Sequence, residues 1–319
     1  MPLDPGAAQL IALSRASGRP PVEQLEPAAA RAAIRAAAPM IGGPLSEMAS
    51  IDMIEIAGPG SALALRLYRP LAAAPDAPQP AMLFFHGGGW VVGDLETHDA
   101  LARALAAESG CLVAALDYRL APEHPFPAAL DDAMAAFAWL CREAPRLGID
   151  PSRIGVAGDS AGGNLAAVLA IIARDGALPP VAFQLLLYPV CDLTMSHPSY
   201  ERNGTDFLLT RDSMSYFIDA YSGGRDLGAD WRASPLAVPS LDGVAPAIVL
   251  TAGNDPLCDE GDAYADRLAA AGVPTDHVRL PGQIHGFLTA AAIVTEAAGA
   301  IERVGGHVRE RIADKRSDG

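Results

Sequence analysis

Residues 51–56 and 63–68 alternate apolar and polar side chains, and Gly58-Pro59-Gly60 between them has the chemistry of a turn. That pattern predicts a half-buried antiparallel pair of strands. Residues 82–85, 111–116, 154–157, 183–187 and 247–250 are instead short apolar runs without alternation. Strands buried on both faces read this way, so a parallel sheet covered by helices is expected. A further strand is expected over 275–280. Good helix formers at helical spacing occupy 97–109, 127–144, 160–173 and 256–271. Strand–helix alternation of this kind predicts a doubly wound α/β domain with eight strands.

Two segments stand outside that rhythm. Residues 1–48 read as alanine-rich helix, broken at Pro20-Pro21 and ended near Gly42-Gly43-Pro44. Leu10, Ile11, Leu25 and Ile34 give this segment an apolar face too small to bury itself. Residues 190–235 gather Met195, Tyr200, Phe207, Met214, Tyr216, Phe217, Tyr221 and Trp231 in a chain that is only 6% aromatic. We expect both segments to form a helical cap over a pocket, with 49–189 and 236–319 as the core. The alternative is an excursion that packs on itself.

The chain has 319 residues, 50% of them hydrophobic, and 23 basic against 38 acidic side chains, for a net charge of −15. The first figure allows a large core. The charge disfavours nucleic acid and membrane surfaces as partners. Lys315 is the one lysine, and no function is drawn from that. Four separated cysteines, without a C-x-x-C pair, give neither a zinc ribbon nor a disulfide framework. No signal-like start or spanning apolar stretch is seen, so a cytoplasmic location is expected.

Candidate chemistry centres on Gly158-Asp159-Ser160-Ala161-Gly162, placed after one expected strand and opening the next helix. A serine on such a turn projects its hydroxyl above the sheet, and the helix directs its positive end at the same point. His86-Gly87-Gly88-Gly89-Trp90 follows another strand, and its uncovered N–H groups suit an oxyanion hole. A phosphate cradle is disfavoured, because no G-K-[ST] follows. Asp255 and His285 each follow a strand in the order Ser, Asp, His, at the sheet edge where open α/β sheets bind ligands. Asp259 and Glu260 are expected to face solvent or cap a turn. His98, His197, His277 and His307 are expected at the surface, and His124 in a structural turn. His86 is expected to shape the glycine loop, and Asp159 adjoins Ser160 too closely to reach the far side of the imidazole. Cys258 lacks the turn geometry of a nucleophile, and no metal-binding motif is present.

Together these blocks resemble the hormone-sensitive-lipase-like family of α/β-hydrolases, the bacterial family IV carboxylesterases. The resemblance includes Asp117-Tyr-Arg-Leu-Ala-Pro-Glu-His-Pro125, Ser234-Pro-Leu236, Asp255-Pro-Leu-Cys-Asp-Glu-Gly261 and His285-Gly-Phe287. It implies an α/β-hydrolase fold with a mostly parallel eight-stranded sheet. It also implies Ser160 as nucleophile, Asp255 as acid, His285 as base, and Gly88, Gly89 and Ala161 as oxyanion donors. Cys258 stands where relatives often carry arginine. The expected function is a serine carboxylesterase for short-to-medium acyl esters, with Trp90, Tyr188, Phe207 and Leu208 as pocket walls. No cofactor or metal is expected, and the partners are a small-molecule ester and, as an assembly, a homodimer. Alternatives are amide, lactone or acetylated-sugar hydrolysis, or a binding module of the same fold that has lost turnover.

Overall fold

The computed structural model describes residues 2–71 and 77–314. Met1, a short stretch before the third strand and the 315–319 end of the expected core segment, with Lys315, lie outside them. Helices α1 (Pro5–Ala16) and α2 (Pro27–Ile41) precede strands β1 (Met48–Ala57) and β2 (Ala62–Pro70). Then β3 (Gln79–Phe85), α3 (Asp99–Ser109), β4 (Leu112–Asp117), α4 (Ala128–Glu143), β5 (Ile149–Asp159) and α5 (Ala161–Arg174) alternate. After β6 (Gln184–Leu187) come α6 (Ser199–Arg202) and α7 (Arg211–Ser222). The chain closes with β7 (Ala247–Asn254), α8 (Cys258–Ala270), β8 (Thr275–Ile284) and α9 (Glu296–Asp314).

The eight strands form one sheet in the order β1-β2-β4-β3-β5-β6-β7-β8. Only β2 runs antiparallel to its neighbours; β3 to β8 are parallel. The apolar runs owe their lack of alternation to this arrangement. In β3, Ala81, Leu83 and Phe85 enter one core, while Met82 and Phe84 enter the other. In β7, Ala247 and Val249 likewise face opposite Ile248 and Leu250. Side chains from α4, α5 and α8 fill the first core, and those from α3, α9 and α1 fill the second. Both faces therefore need apolar residues, and the central strands β3 to β7 supply them at period two.

The segment 1–48 does not bury its own face. Ala7, Leu10 and Ile11 of α1 pack into the second core, and Ala30 of α2 packs into the first. Ile34 instead stays exposed, and it borders the cavity described below. Within 190–235, Met214, Phe217 and Tyr221 anchor α7 on the first core.

Candidate active site

β5 ends at Asp159 and α5 starts at Ala161, so one residue must reverse the chain. Ser160 does this with φ +56° and ψ −118°. A non-glycine residue held there costs about 1–3 kcal/mol and persists only when its surroundings fix it. They do: Ser160 N–H donates to Leu187 O (2.8 Å), and Ser160 O accepts from Asn164 N–H (3.0 Å) and Val190 N–H (3.2 Å).

His285 follows the last residue of β8. Its Nε2 lies 2.9 Å from Ser160 Oγ, and its Nδ1 lies 2.7 Å from Asp255 Oδ2. Asp255 is wholly buried just past β7, and its Oδ1 accepts Leu257 N–H at 2.8 Å. A carboxylate facing Nδ1 accepts a hydrogen bond from Nδ1–H and keeps the proton on that nitrogen, which leaves the Nε2 lone pair for the serine hydroxyl. The segment after the sixth strand holds this corner: Asn203 Nδ2 donates to Asp255 O (3.0 Å) and Gly253 O (3.1 Å), and Ser199 Oγ donates to Pro256 O (2.5 Å). The structure thus brings Ser160, His285 and Asp255 together.

The glycine loop faces them from the end of β3. Gly88 has φ +116° and Gly89 φ +58°, a region that side chains rarely adopt. A Cβ on Gly89 would run into the Phe217 ring of α7. The N–H groups of Gly88, Gly89 and Ala161 donate to no acceptor among the described residues. The base of the loop is braced by Asp159, whose Oδ1 accepts Gly87 N–H at 2.8 Å and lies 3.4 Å from His98 Nε2. Burial works to raise the Asp159 carboxyl, but His98, His86 and the Gly87 N–H outweigh it and hold it below the usual range. His86 stacks on Tyr118 (4.3 Å between centroids) and points Nδ1 at Gly87 O. Its burial, with His98 nearby, pulls it down to about 4, so it is neutral.

A cavity of about 650 Å³ lies beside this centre. Leu10, Leu25, Ala37, Phe207 and Leu208 give it an apolar wall, drawn from α1, the link to α2, α2 itself and the segment before α7. Among the described residues its lining reaches Thr97, His98 and Thr289, and does not include Ser160, which keeps 6% of its surface exposed.

Several expectations change here. Phe207 and Leu208 line the cavity, but Trp90 and Tyr188 do not. Trp90 is fully buried because its ring stacks on Tyr221 of α7 (4.1 Å, 6°), which removes it from the cavity. Tyr188 is buried behind the imidazole, 4.9 Å from the His285 ring. His98 is not a surface residue; its side chain is taken up by the glycine-loop brace. Glu260 does not face solvent either. It is fully buried on α8, and Oε1 accepts Cys191 N–H (2.7 Å) and Asp192 N–H (3.3 Å). Burial pushes its carboxyl well above the usual range. These residues bond to backbone groups remote in sequence, which no local pattern announces. Cys258 is buried among Arg202, Asn203 and Asp259, and burial raises its thiol to about 11. Among the described residues no group of His, Cys, Asp or Glu is arranged to hold a metal ion.

The alpha/beta hydrolase fold family matches residues 82–289 of this chain. The chain belongs to the α/β-hydrolase family. Its motifs and relatives place it in the hormone-sensitive-lipase-like branch. This hydrolase is 43% identical to Carboxylesterase NlhH of Mycobacterium tuberculosis over 242 residues, covering 75% of each chain. It is 39% identical to Ethyl acetate hydrolase of Pseudomonas putida over 303 residues, 93% of this chain and 95% of that one. Among solved structures, a metagenomic alpha/beta hydrolase enzyme from Lake Arreo, Spain, superposes with a TM-score of 0.94 at 39% identity, covering 98% and 99% of the two chains. A hyperthermophilic esterase from Pyrobaculum calidifontis gives 0.91 at 36%, covering 97% and 99%.

Proposed function

We propose that this hydrolase cleaves carboxylic esters through an acyl-enzyme on Ser160. Ser160 Oγ attacks the ester carbonyl while its proton passes to His285 Nε2. The carbonyl oxygen becomes an oxyanion facing the N–H groups of Gly88, Gly89 and Ala161. Collapse expels the alcohol, which takes the proton from Nε2. Water then attacks the acyl group by the same route, giving the acid and restoring the hydroxyl. Asp255 fixes the imidazole tautomer and stabilises the imidazolium. The observation that carries the reading is the unbroken bond path from Asp255 through His285 to Ser160, 2.7 Å and then 2.9 Å, beside unengaged N–H donors.

The substrate class follows from the cavity. Its volume of about 650 Å³ suits a small molecule, and its apolar wall suits an acyl chain of short-to-medium length. The names of two relatives, a carboxylesterase and an ethyl acetate hydrolase, support that choice. We read 1–48 and 190–235 as the cap, because both supply residues to this cavity. Four free thiols support a cytoplasmic location. A homodimer belongs to the same proposal, since β8 ends the sheet with one edge unpaired.

The test is a series of p-nitrophenyl esters of graded chain length. Wild type is expected to turn over butyrate to octanoate, and Ser160→Ala to abolish release of nitrophenol without unfolding. Full turnover by the alanine variant would remove Ser160 from its role. A wild type that bound the esters without releasing nitrophenol would be a binding module.

A further inference from the structure

The block Asp117–Pro125 has no part in the chemistry above, yet it receives a side chain from α2. Arg31 donates Nε–H to Val91 O (2.7 Å), Nη2–H to Ala121 O (2.9 Å), and a two-pronged pair to Glu123, Nη1 to Oε1 (2.8 Å) and Nη2 to Oε2 (2.7 Å). The surrounding seam between α2 and the core, about 690 Å³, also holds Arg35 and Arg119, paired with Asp94 and Asp132. Exposed pairs contribute little, but Asp94 and Asp132 are themselves buried. Arg31 differs, because two of its acceptors are main-chain carbonyls belonging to the support of the glycine loop.

That support is a short relay. Gly88 O accepts Val91 N–H (3.1 Å) and Val92 N–H (3.0 Å). Trp90 O accepts Ala121 N–H (2.8 Å). Arg31 holds the carbonyls of Val91 and Ala121, and so closes the relay at both ends. The consequence lies in peptide planarity. In a trans peptide the C=O of Gly88 and the N–H of Gly89 share one plane and point in opposite directions. Fixing Gly88 O toward Val91 and Val92 therefore fixes Gly89 N–H away from them. The two glycines, lacking Cβ, do not set that direction by their own backbone preference.

We infer that Arg31 is a positioning residue: from α2 it orients the Gly88–Gly89 peptide and thereby couples the presence of α2 to oxyanion stabilisation. Glu123 orients Arg31 in turn, which gives the Pro122-Glu123-His124-Pro125 stretch a task. The inference rests on the acyl-enzyme reading above. A guanidinium suits the task because its rigid planar fork holds three acceptor groups in fixed directions, whereas an ammonium is a point charge whose donors rotate.

The experiment compares wild type, Arg31→Met, Arg31→Lys and Glu123→Gln on p-nitrophenyl butyrate, with the rate of inactivation by an alkyl phosphonate as a second readout. Losing one oxyanion donor costs ~10²–10³ in kcat, and a donor left free to turn should cost roughly tenfold. Arg31→Met is expected to lose that much in kcat, with KM within about twofold, because the interaction matters only when charge develops. Phosphonylation also builds negative charge on oxygen and should slow in parallel. Glu123→Gln keeps the carbonyl bonds and should lose less, and Arg31→Lys should recover only part. Wild-type kcat in a folded Arg31→Met, or a loss confined to KM, would overturn the inference. If Arg31→Met does not fold, a fully active Arg31→Lys would overturn it instead. Labelling of wild type at Ser160 keeps the underlying reading intact in either case, so the two failures are distinct.

Discussion

Each reacting side chain is held by bonds that its own sequence neighbourhood does not advertise. The Ser–Asp–His order, the serine turn and the glycine loop were legible, because a strained turn, a glycine run and a chain order leave local marks. Asp159, His98, Asn203 and Glu260 were not, since their partners lie at least 50 residues away or on another element. Two substitutions test this level. Asp255→Asn keeps the shape but presents an amide to Nδ1, so the imidazole is held in the wrong tautomer; kcat should fall by about 10⁴ with little change in thermal midpoint. Glu260 tests burial. Burial holds its carboxyl above the usual range in the fold, whereas the unfolded chain ionises above about pH 4.3, so wild-type stability should decline as pH rises past that value. Gln keeps the acceptor for Cys191 N–H and cannot ionise. The midpoint of Glu260→Gln relative to wild type should therefore climb between pH 5 and pH 8; a constant difference would contradict the assignment.

At the level of elements, the apolar runs without alternation located the parallel strands β3 to β7, because a sheet covered on both faces demands them. Strand ends were less visible. β8 continues through Pro281 and Gly282 to Ile284, since Pro281 O and Gly282 O serve Asn254 and Asp4 at the sheet edge. The helices α1 and α2 show why an alanine-rich segment is more than filler: small residues let them approach the core and still border a cavity. Ala37 of α2 lines that cavity and is half-buried. Ala37→Trp should shorten the accepted acyl chain. Each lost methylene contact is worth about 0.8 kcal/mol, so kcat/KM for octanoate should drop roughly tenfold while acetate changes less than about twofold. An equal loss on both esters would mean that the acyl chain lies elsewhere.

For the whole molecule, a charge of −15 on a chain with one lysine means that like charges repel across a compact surface. Among the described residues no ion pair joins two fully enclosed groups, and pairs open to solvent are screened as salt rises. Self-repulsion is screened too, and with this excess of acid it dominates. The thermal midpoint should rise by a few degrees between 20 mM and 500 mM sodium chloride at pH 8, as read by scanning calorimetry; a fall would show that pairing outweighs repulsion.

The central claim is that an acyl group resides covalently on Ser160 during turnover. Rapid acid quench of the enzyme mixed with excess p-nitrophenyl butyrate, followed by peptide mass spectrometry, reads it directly. A butyryl adduct confined to the peptide bearing Ser160, absent from Ser160→Ala and lost on standing in buffer, is the expected result. Steady nitrophenol release with no adduct at any quench time, or an adduct on Cys258, would contradict it.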